Sequence, residues 1–547
     1  AVGGDTCSSV LTDSNGAHGN WASPQVTHQT FATAIGDTNS SNTYPITAVE
    51  AHQRRLYVAV SSTGANVTNN PITTTNDGSV GSLSWSSTGN SVSSNNSYAT
   101  RTMNGTTITN YLKVTNFGFA IPPGATILGI RAEVERYRAS GSTGDVRDNQ
   151  VRLVRADGTL GSVNKANTST NWPNSDPNSY VSYGGSSDFW GEMNWTPAAI
   201  NSSNFGFAIA AVGSSGSTNR EARVDHIRVT VYYTKQFYLM DLVNPGSPAF
   251  VSGLATSTFA GGLNALFVAT STNNHHAYLA TNSSTGFNQL QIINIKDRLR
   301  PFVEMTFPSA VGTGMGSGVG QSIFYKDGYA YIGLTTGSGG PEFNIIDVSK
   351  PFAPSWKGCY SVGNTVNAIQ VKDGYAYLST NDSSRELIVL NITNPSTPVL
   401  VASYNATPDV VGWGYGRALY PVGDTLYFGR SWTNSGVTPQ FLALDTAGTS
   451  IVPAPSPNTK WLGTNFSLNG IFVRDTLALL LLGSATSGGQ LQILNATSTV
   501  QHASPIALPP SGSGGLGGTS FGCEANYLYV ASVDSANRGY LTTVTGN

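Results

Sequence analysis

A phrase of roughly 46 to 52 residues recurs along this chain, and a sequence that repeats one supersecondary unit must bury each copy against its neighbours, as in a propeller or a solenoid. At Ile369 the phrase runs IQVKDGYAYLST, a loop, then ELIVLNITNPSTPVLVASY; at Ile323 it runs IFYKDGYAYIGL, a loop, then FNIIDVSKPFAPSW. Apolar and polar residues alternating around an Asp-Gly turn read as antiparallel hairpins. In the copy at Ile369 this predicts strands over 367–371, 375–380, 387–392 and 399–404.

Further copies start near Ala265, Arg417, Gly470 and Ser520. Near the N-terminus, ITAVEAHQRRLYVAV (Ile46 to Val60) supplies two strands, and the matching third and fourth strands come only with FYLMDLVNPGSPAFVSG after Gln236. One repeat is therefore split by an insertion, which brings the copies to seven. The last copy stops before a fourth strand, and SPQVTHQTFATAIGD from Ser23 resembles the fourth-strand segment STPVLVASYNATPD from Ser396. A strand lent by the N-terminus would close a ring and remove exposed sheet edges, whereas a linear β-solenoid would have no use for it. The expected fold is all-β: a seven-bladed β-propeller with a jelly-roll-like β-sandwich inserted in the first blade. The expected domains are a lead at 1–22, the closing strand and first half of blade 1 at 23–60, the inserted sandwich at 61–234, and the rest of the propeller at 235–547.

Within the insertion the period changes to longer alternating strands, such as ATILGIRAEVERYRAS from Ala125 and ARVDHIRVTVYY from Ala222. NFGFAI occurs at Asn116 and again at Asn204, and both copies are expected to begin equivalent strands of the two sheets.

Charged residues make up 11% of the 547, and the net charge is −2, which gives no sustained field for nucleic acid. No run of apolar residues is long enough for a transmembrane segment. AVGGDTCSS lacks the basic and apolar regions of a signal peptide, and a chain opening at Ala1 with Ser, Thr, Asn and Gly dominating its spacers reads as a mature extracellular product. Of the three cysteines, Cys7 and Cys523 are the candidate disulfide, tying the two ends of the chain together, and Cys359 reads as a buried thiol. Sequons such as Asn66, Asn104, Asn391 and Asn495 permit glycosylation.

Catalytic signatures are weak. There is no G-x-S-x-G, and the Gly-rich stretches at Gly314 and Gly512 open no predicted helix, so neither reads as a phosphate cradle. His275 and His276 read as a solvated turn, and alternation sends Asp225 and His226 to opposite faces. Glu133 and Glu135, with Arg131 and Arg138 nearby, read as a surface salt-bridge ladder rather than a glycosidase pair. Asp145 and Asp148, expected in a polar loop, are the candidate oxygen ligands for Ca²⁺; no other cofactor is implied. Trp190 and Trp195 in DFWGEMNW, and Trp413 and Tyr415 in GWGYG, are the candidate binding residues, because exposed flat rings in Gly- and Asn-rich loops suit sugar faces or a neighbouring subunit. The competing role for these rings is to plug the sandwich edge and the gaps between blades.

FNIIDVSKP at Phe343, LQIINIKD at Leu290, LIVLNITNP at Leu387 and YLMDLVNP at Tyr238 resemble the third strand of the LVIVD repeat family. That resemblance implies a propeller outside the cell, of the kind found in bacterial and archaeal surface proteins, and implies no reaction. QFLALDTAG and LQILNATST depart from it by losing the Asn-Pro turn. WASPQV at Trp21 is similar to the junction behind pilin-like anchors. The expected function is thus a non-enzymatic, extracellular structural or adhesive protein, a cell-surface or filament-like appendage subunit that self-assembles or joins other subunits. The alternative is a carbohydrate-binding or carbohydrate-active secreted protein that uses the insertion to hold glycans. A propeller enzyme with a central metal ranks third.

Overall fold

The computed structural model describes residues 21–546 apart from short stretches, the longer of which are 36–43, 255–261, 283–287, 308–314, 407–413, 432–438, 454–458, 485–489 and 510–516. The chain divides into two compact units, Ala1–Thr63 with Gln236–Asn547, and Gly64–Lys235.

The first unit is a propeller-like set of small antiparallel sheets. The copy quoted first forms the sheet Val366–Lys372, Tyr375–Thr380, Leu387–Asn391 and Val399–Tyr404, in that order. Its first hairpin is a two-residue turn with Asp373 at φ 49° and Gly374 at φ 80°, the left-handed pair that matches strand twist. The third strand is buried along most of its length and ends on half-buried Asn391, whose side-chain oxygen accepts the Thr393 amide at 3.0 Å and its hydroxyl at 2.7 Å. Asp241, Asn294, Asp347 and Asn495 accept the amide two residues on in the same way. This is why these five copies close on Asp or Asn: the side chain turns the backbone out of the strand.

The split copy assembles across the insertion. Arg55–Val60 pairs antiparallel with Phe237–Asp241, giving the sheet order Ile46–His52, Arg55–Val60, Phe237–Asp241, Ala249–Leu254. In the last copy Gln25–Thr30 pairs along its whole length with Gly539–Thr545 and takes the fourth place. Where the Asn-Pro turn is lost, the described fourth-strand pairing is short. Beside Phe441–Asp445 the described residues pair at Val452–Pro453 and Thr459–Lys460, and beside Leu491–Asn495 the described residues form isolated bridges at Ile506 and Gln501.

Apolar clusters join one sheet to the next. Tyr57, Phe237 and Leu239 pack with Leu266, Leu279 and Ile293, while Leu387 and Val389 pack with Leu419, Phe428 and Leu442. Each fully buried side chain of this size contributes about 1.5–3 kcal/mol. A polar anchor recurs as well: Gln236, Gln289, Glu342, Glu386, Gln440 and Gln490 each sit one residue before a third strand, and all are buried. Glu342 accepts the Val362 and Gly363 amides at 2.9 Å, Gln440 the Leu462 amide at 2.7 Å, and Gln490 the Leu508 amide at 2.9 Å. These bonds hold the segment that follows the sheet in these three copies. Glu386 also forms a bidentate pair with Arg430 of the next sheet, both contacts at 2.5 Å and both side chains fully buried.

The second unit contains two antiparallel sheets. One runs Tyr180–Gly184, Thr126–Arg138, Asn219–Thr234, Ala65–Asn69, with Ala99–Asn104 also paired to Asn219–Thr234; the other runs Thr73–Asp77, Tyr111–Thr115, Gly206–Gly213, Val146–Val154. The two NFGFAI segments are not equivalent. The copy at Asn204 leads into a strand, but the copy at Asn116 follows one, because Asn116 (φ 58°) and Gly118 (φ 62°) leave the extended region. Their aromatics meet instead, with Phe119 edge-on to Phe205 at 5.9 Å.

Candidate functional site

The first strands of the first unit share a defect that organises its centre. Each carries a β-bulge at its second, third or fourth residue, so that Thr47, Asn264, Gln321, Asn367, Arg417, Asn469 and Thr519 are each skipped in the pairing register. A bulge leaves its extra residue outside the ladder and re-aims its side chain. All of these residues line one cavity of about 310 Å³.

Around this ring the bulged side chain donates to a backbone carbonyl of the next sheet. Thr47 Oγ1 donates to Leu263 O at 2.5 Å, Asn264 Nδ2 to Gly320 O at 2.8 Å, Asn367 Nδ2 to Gly416 O at 2.7 Å, and Asn469 Nδ2 to Gly518 O at 2.8 Å. Thr519 Oγ1 then donates to Ile46 O at 2.8 Å, joining the last sheet to the first. In the sheet of Gln321 the neighbouring hydroxyl takes the role, Ser322 Oγ donating to Val366 O at 2.8 Å. Arg417 breaks the cycle. Its Nε is buried without a hydrogen-bond partner, and burial pulls its pKa below the usual arginine range, with Tyr415 opposing. Among the described residues the cavity lining includes no carboxylate and one cation, Arg417, among neutral donors and acceptors. Such a lining can bind and orient a ligand, and it offers no nucleophile paired with a base.

The second unit has a shallower cavity of about 290 Å³ lined by Arg155, Ala156, Asp157, Glu192, Trp195 and Ala199. Trp195 is half-buried: its Nε1 donates to Phe189 O at 2.9 Å, and its ring meets Phe205 edge-on at 5.4 Å. The guanidinium of Arg155 grips Glu192 Oε1, with Nε at 3.0 Å and the terminal nitrogen at 2.5 Å.

Several expectations are corrected here. Trp190 is 2% exposed, donates to Ile130 O at 2.9 Å and lies under Lys165 Nζ; it plugs the sheet edge and offers no binding face. Tyr415 is half-buried beside the Arg417 strand, its amide donating to Ser431 Oγ, and Trp413 lies outside the described residues. Asp148 lies in the strand Val146–Val154 rather than a loop. Its buried carboxylate is occupied by Trp172 Nε1 and Tyr183 OH at 2.8 Å, the Asn167 amide at 3.0 Å and Arg136. Protein donors thus fill the lone pairs a Ca²⁺ ion would need, and Asp145 engages Ser214 only through its backbone. Among the described residues no cluster of three or more His, Cys, Asp or Glu could hold a metal.

His276 is buried in a strand, with Nε2 2.7 Å from Glu304 and Nδ1 2.6 Å from Asn274, so it is not a solvated turn residue. Glu133 pairs with Arg131 and Arg228, but both carboxylates are buried and burial raises the pKa of Glu135, so the pair is no surface ladder. A bulge falls at Asp225, whose carboxylate accepts the Asn95 and Asn96 amides, while His226 Nδ1 faces Tyr180 OH at 2.7 Å. Cys359 is a half-buried free thiol; Cys523 is buried and disulfide-bonded, and Cys7 lies outside the described residues. Sequence reasoning missed the bulge ring and the buried Gln/Glu anchors. The anchors had a visible signal, Gln or Glu one residue before six of the apolar third strands; the last copy has Arg538 there.

The LVIVD repeat matches residues 317–362 and again residues 363–406. This chain carries LVIVD repeats. The matches do not extend to the N-terminal lead, whose pilin-like likeness rests on its residues alone. No curated protein sequence matches the chain. Among solved structures, the chain is similar to the computationally designed Ika8 protein, at 11% identity and a TM-score of 0.31, over 52% of this chain and 96% of that one. It is also similar to Chaetomium thermophilum Raptor, at 10% identity and a TM-score of 0.37, over 57% of this chain and 26% of that one. No helix among the described residues is long and apolar enough to cross a membrane.

Proposed function

We propose that this chain is a non-enzymatic extracellular structural or adhesive protein, a cell-surface or appendage subunit built as a seven-bladed β-propeller with a jelly-roll-like sandwich inserted in the first blade. The observation that carries this reading is the apolar character of the outer strands. Val399, Leu400 and Val401 are consecutive, exposed and on a fourth strand; Phe302 and Trp356 are exposed on the fourth strands of the two preceding sheets. Val243, Leu299 and Phe352 are exposed in the turns that lead into fourth strands. Fourth strands are sheet edges, and proteins that stay single blunt their edges with charge. Exposed apolar edges suit burial against another subunit. The test is light scattering with negative-stain microscopy of purified chain and of a Val399→Lys, Val401→Lys variant. Assembly by the native chain and its loss in the variant support the reading; a monodisperse native chain at high concentration overturns it.

The Trp195 cavity favours a second reading, carbohydrate binding by the inserted unit, since an indole face beside the Arg155–Glu192 pair suits a sugar ring with hydroxyls. A glycan array with Trp195→Ala separates the two: specific binding lost in the variant supports the second reading, and no binding removes it.

A further inference from the structure

The geometry points to the central cavity of the first unit as a binding site for a small monovalent hydroxy-carboxylate, held by Arg417 and Gln321. The ring of side-chain bonds is regular except at these two residues. Thr47, Asn264, Asn367, Asn469 and Thr519 each use their donor on the next sheet. Arg417 and Gln321 make no side-chain hydrogen bond to the described residues, yet both line the cavity. Two free donor groups of the fork and amide types therefore face a shared space.

Charge selects the ligand. A guanidinium held in a partly buried space without a carboxylate partner is costly, and the cavity lining supplies no anion of its own. One positive charge is balanced by one negative charge, whereas a phosphate dianion would leave an excess of charge inside the protein. The planar guanidinium matches a carboxylate through two parallel N–H bonds, and the Gln321 amide adds a neutral donor. The remaining ring atoms select for hydroxyls. The three cavity-lining asparagines each donate an amide N–H to a backbone carbonyl, and with no donor to their Oδ1 atoms among the described residues these remain acceptors suited to O–H groups on the ligand. A volume of about 310 Å³ accommodates a hydroxy acid with ordered water.

Isothermal titration calorimetry of the full chain at constant ionic strength tests this with sodium lactate, sodium propionate, sodium phosphate and sodium chloride as probes. Lactate is expected to bind, propionate to bind about threefold to tenfold more weakly for want of its hydroxyl, and chloride and phosphate to bind more weakly still. Arg417→Met is expected to abolish lactate binding, and Gln321→Leu to weaken it by about threefold to tenfold. Circular dichroism checks that each variant folds; should Arg417→Met fail to fold, Arg417→Lys takes its place, with at least a tenfold loss expected because the planar fork is gone. No heat with lactate, equal binding of chloride or phosphate, or lactate binding unchanged in the Arg417 and Gln321 variants overturns the assignment.

Discussion

Glu50 makes the stability of the first unit fall as pH rises. The residue lies in Ile46–His52, is 3% exposed, and accepts the Val268 amide of the next sheet at 2.6 Å. Burial raises its pKa from 4.5 to about 8, and the Val268 bond offsets this only in part. The folded chain therefore keeps a proton on Glu50 that the unfolded chain has already released. Between those two values the unfolded state binds fewer protons, so the contribution is complete below about pH 4.5 and is lost as pH climbs to about 8. At about 1.4 kcal/mol for each pH unit, the window is worth at most about 5 kcal/mol. Glu50→Gln keeps a side-chain oxygen for Val268 and removes the titration. Urea unfolding followed by tryptophan fluorescence is expected to find variant and native chains alike at about pH 5, with the variant more stable by several kcal/mol at about pH 8.5. Glu386 and Glu524 are also raised by burial, so some pH dependence persists in the variant. Identical pH dependence in the two chains would refute the reasoning.

Removing one partner of the Glu386–Arg430 pair, as in Arg430→Met, strands a fully buried charge and is expected to cost about 3–5 kcal/mol, while Glu386→Leu with Arg430→Met costs much less; a urea-denaturation double-mutant cycle measures the coupling. Trp190→Ala removes a buried ring and its bond to Ile130 and is expected to destabilise the second unit by about 3–5 kcal/mol, read from its melting curve. Gly374→Ala is expected to cost about 1–2 kcal/mol, because the residue sits at φ 80° and a Cβ there would lie 2.7 Å from Thr393 Cγ2; a urea midpoint checks it. Chelation of Ca²⁺ is expected to leave the melting temperature of the chain unchanged, since Asp148 is occupied by protein donors, and a calorimetric scan with and without chelator checks it.

What was legible followed from periodicity. The Asp-Gly turn at Asp373, the Asx turn at Asn391 and the split between Val60 and Phe237 are local or repeated signals, and the observed strands fall where those signals put them. The aromatic candidates were harder to read. Trp190 and Trp195 share one Gly- and Asn-rich loop, yet one is sealed and the other half-exposed, because exposure depends on which sheet edge the loop covers. Asp148 looked like a loop carboxylate, and only the folded neighbours Trp172, Tyr183 and Arg136 reveal it as a buried hub.

The sequence by itself determined the unit, its repetition and its all-β character, because turn chemistry and alternation act within a few residues of each other. The bulge ring required the tertiary structure. A bulge is a property of pairing between strands, and Asn264, Asn367 and Asn469 look like ordinary spacer residues until their register slips and their amides reach the next sheet. Arg417 shows the same limit: a common surface residue by type, it becomes a cation without a counter-ion among the described residues only where the strands converge on one cavity.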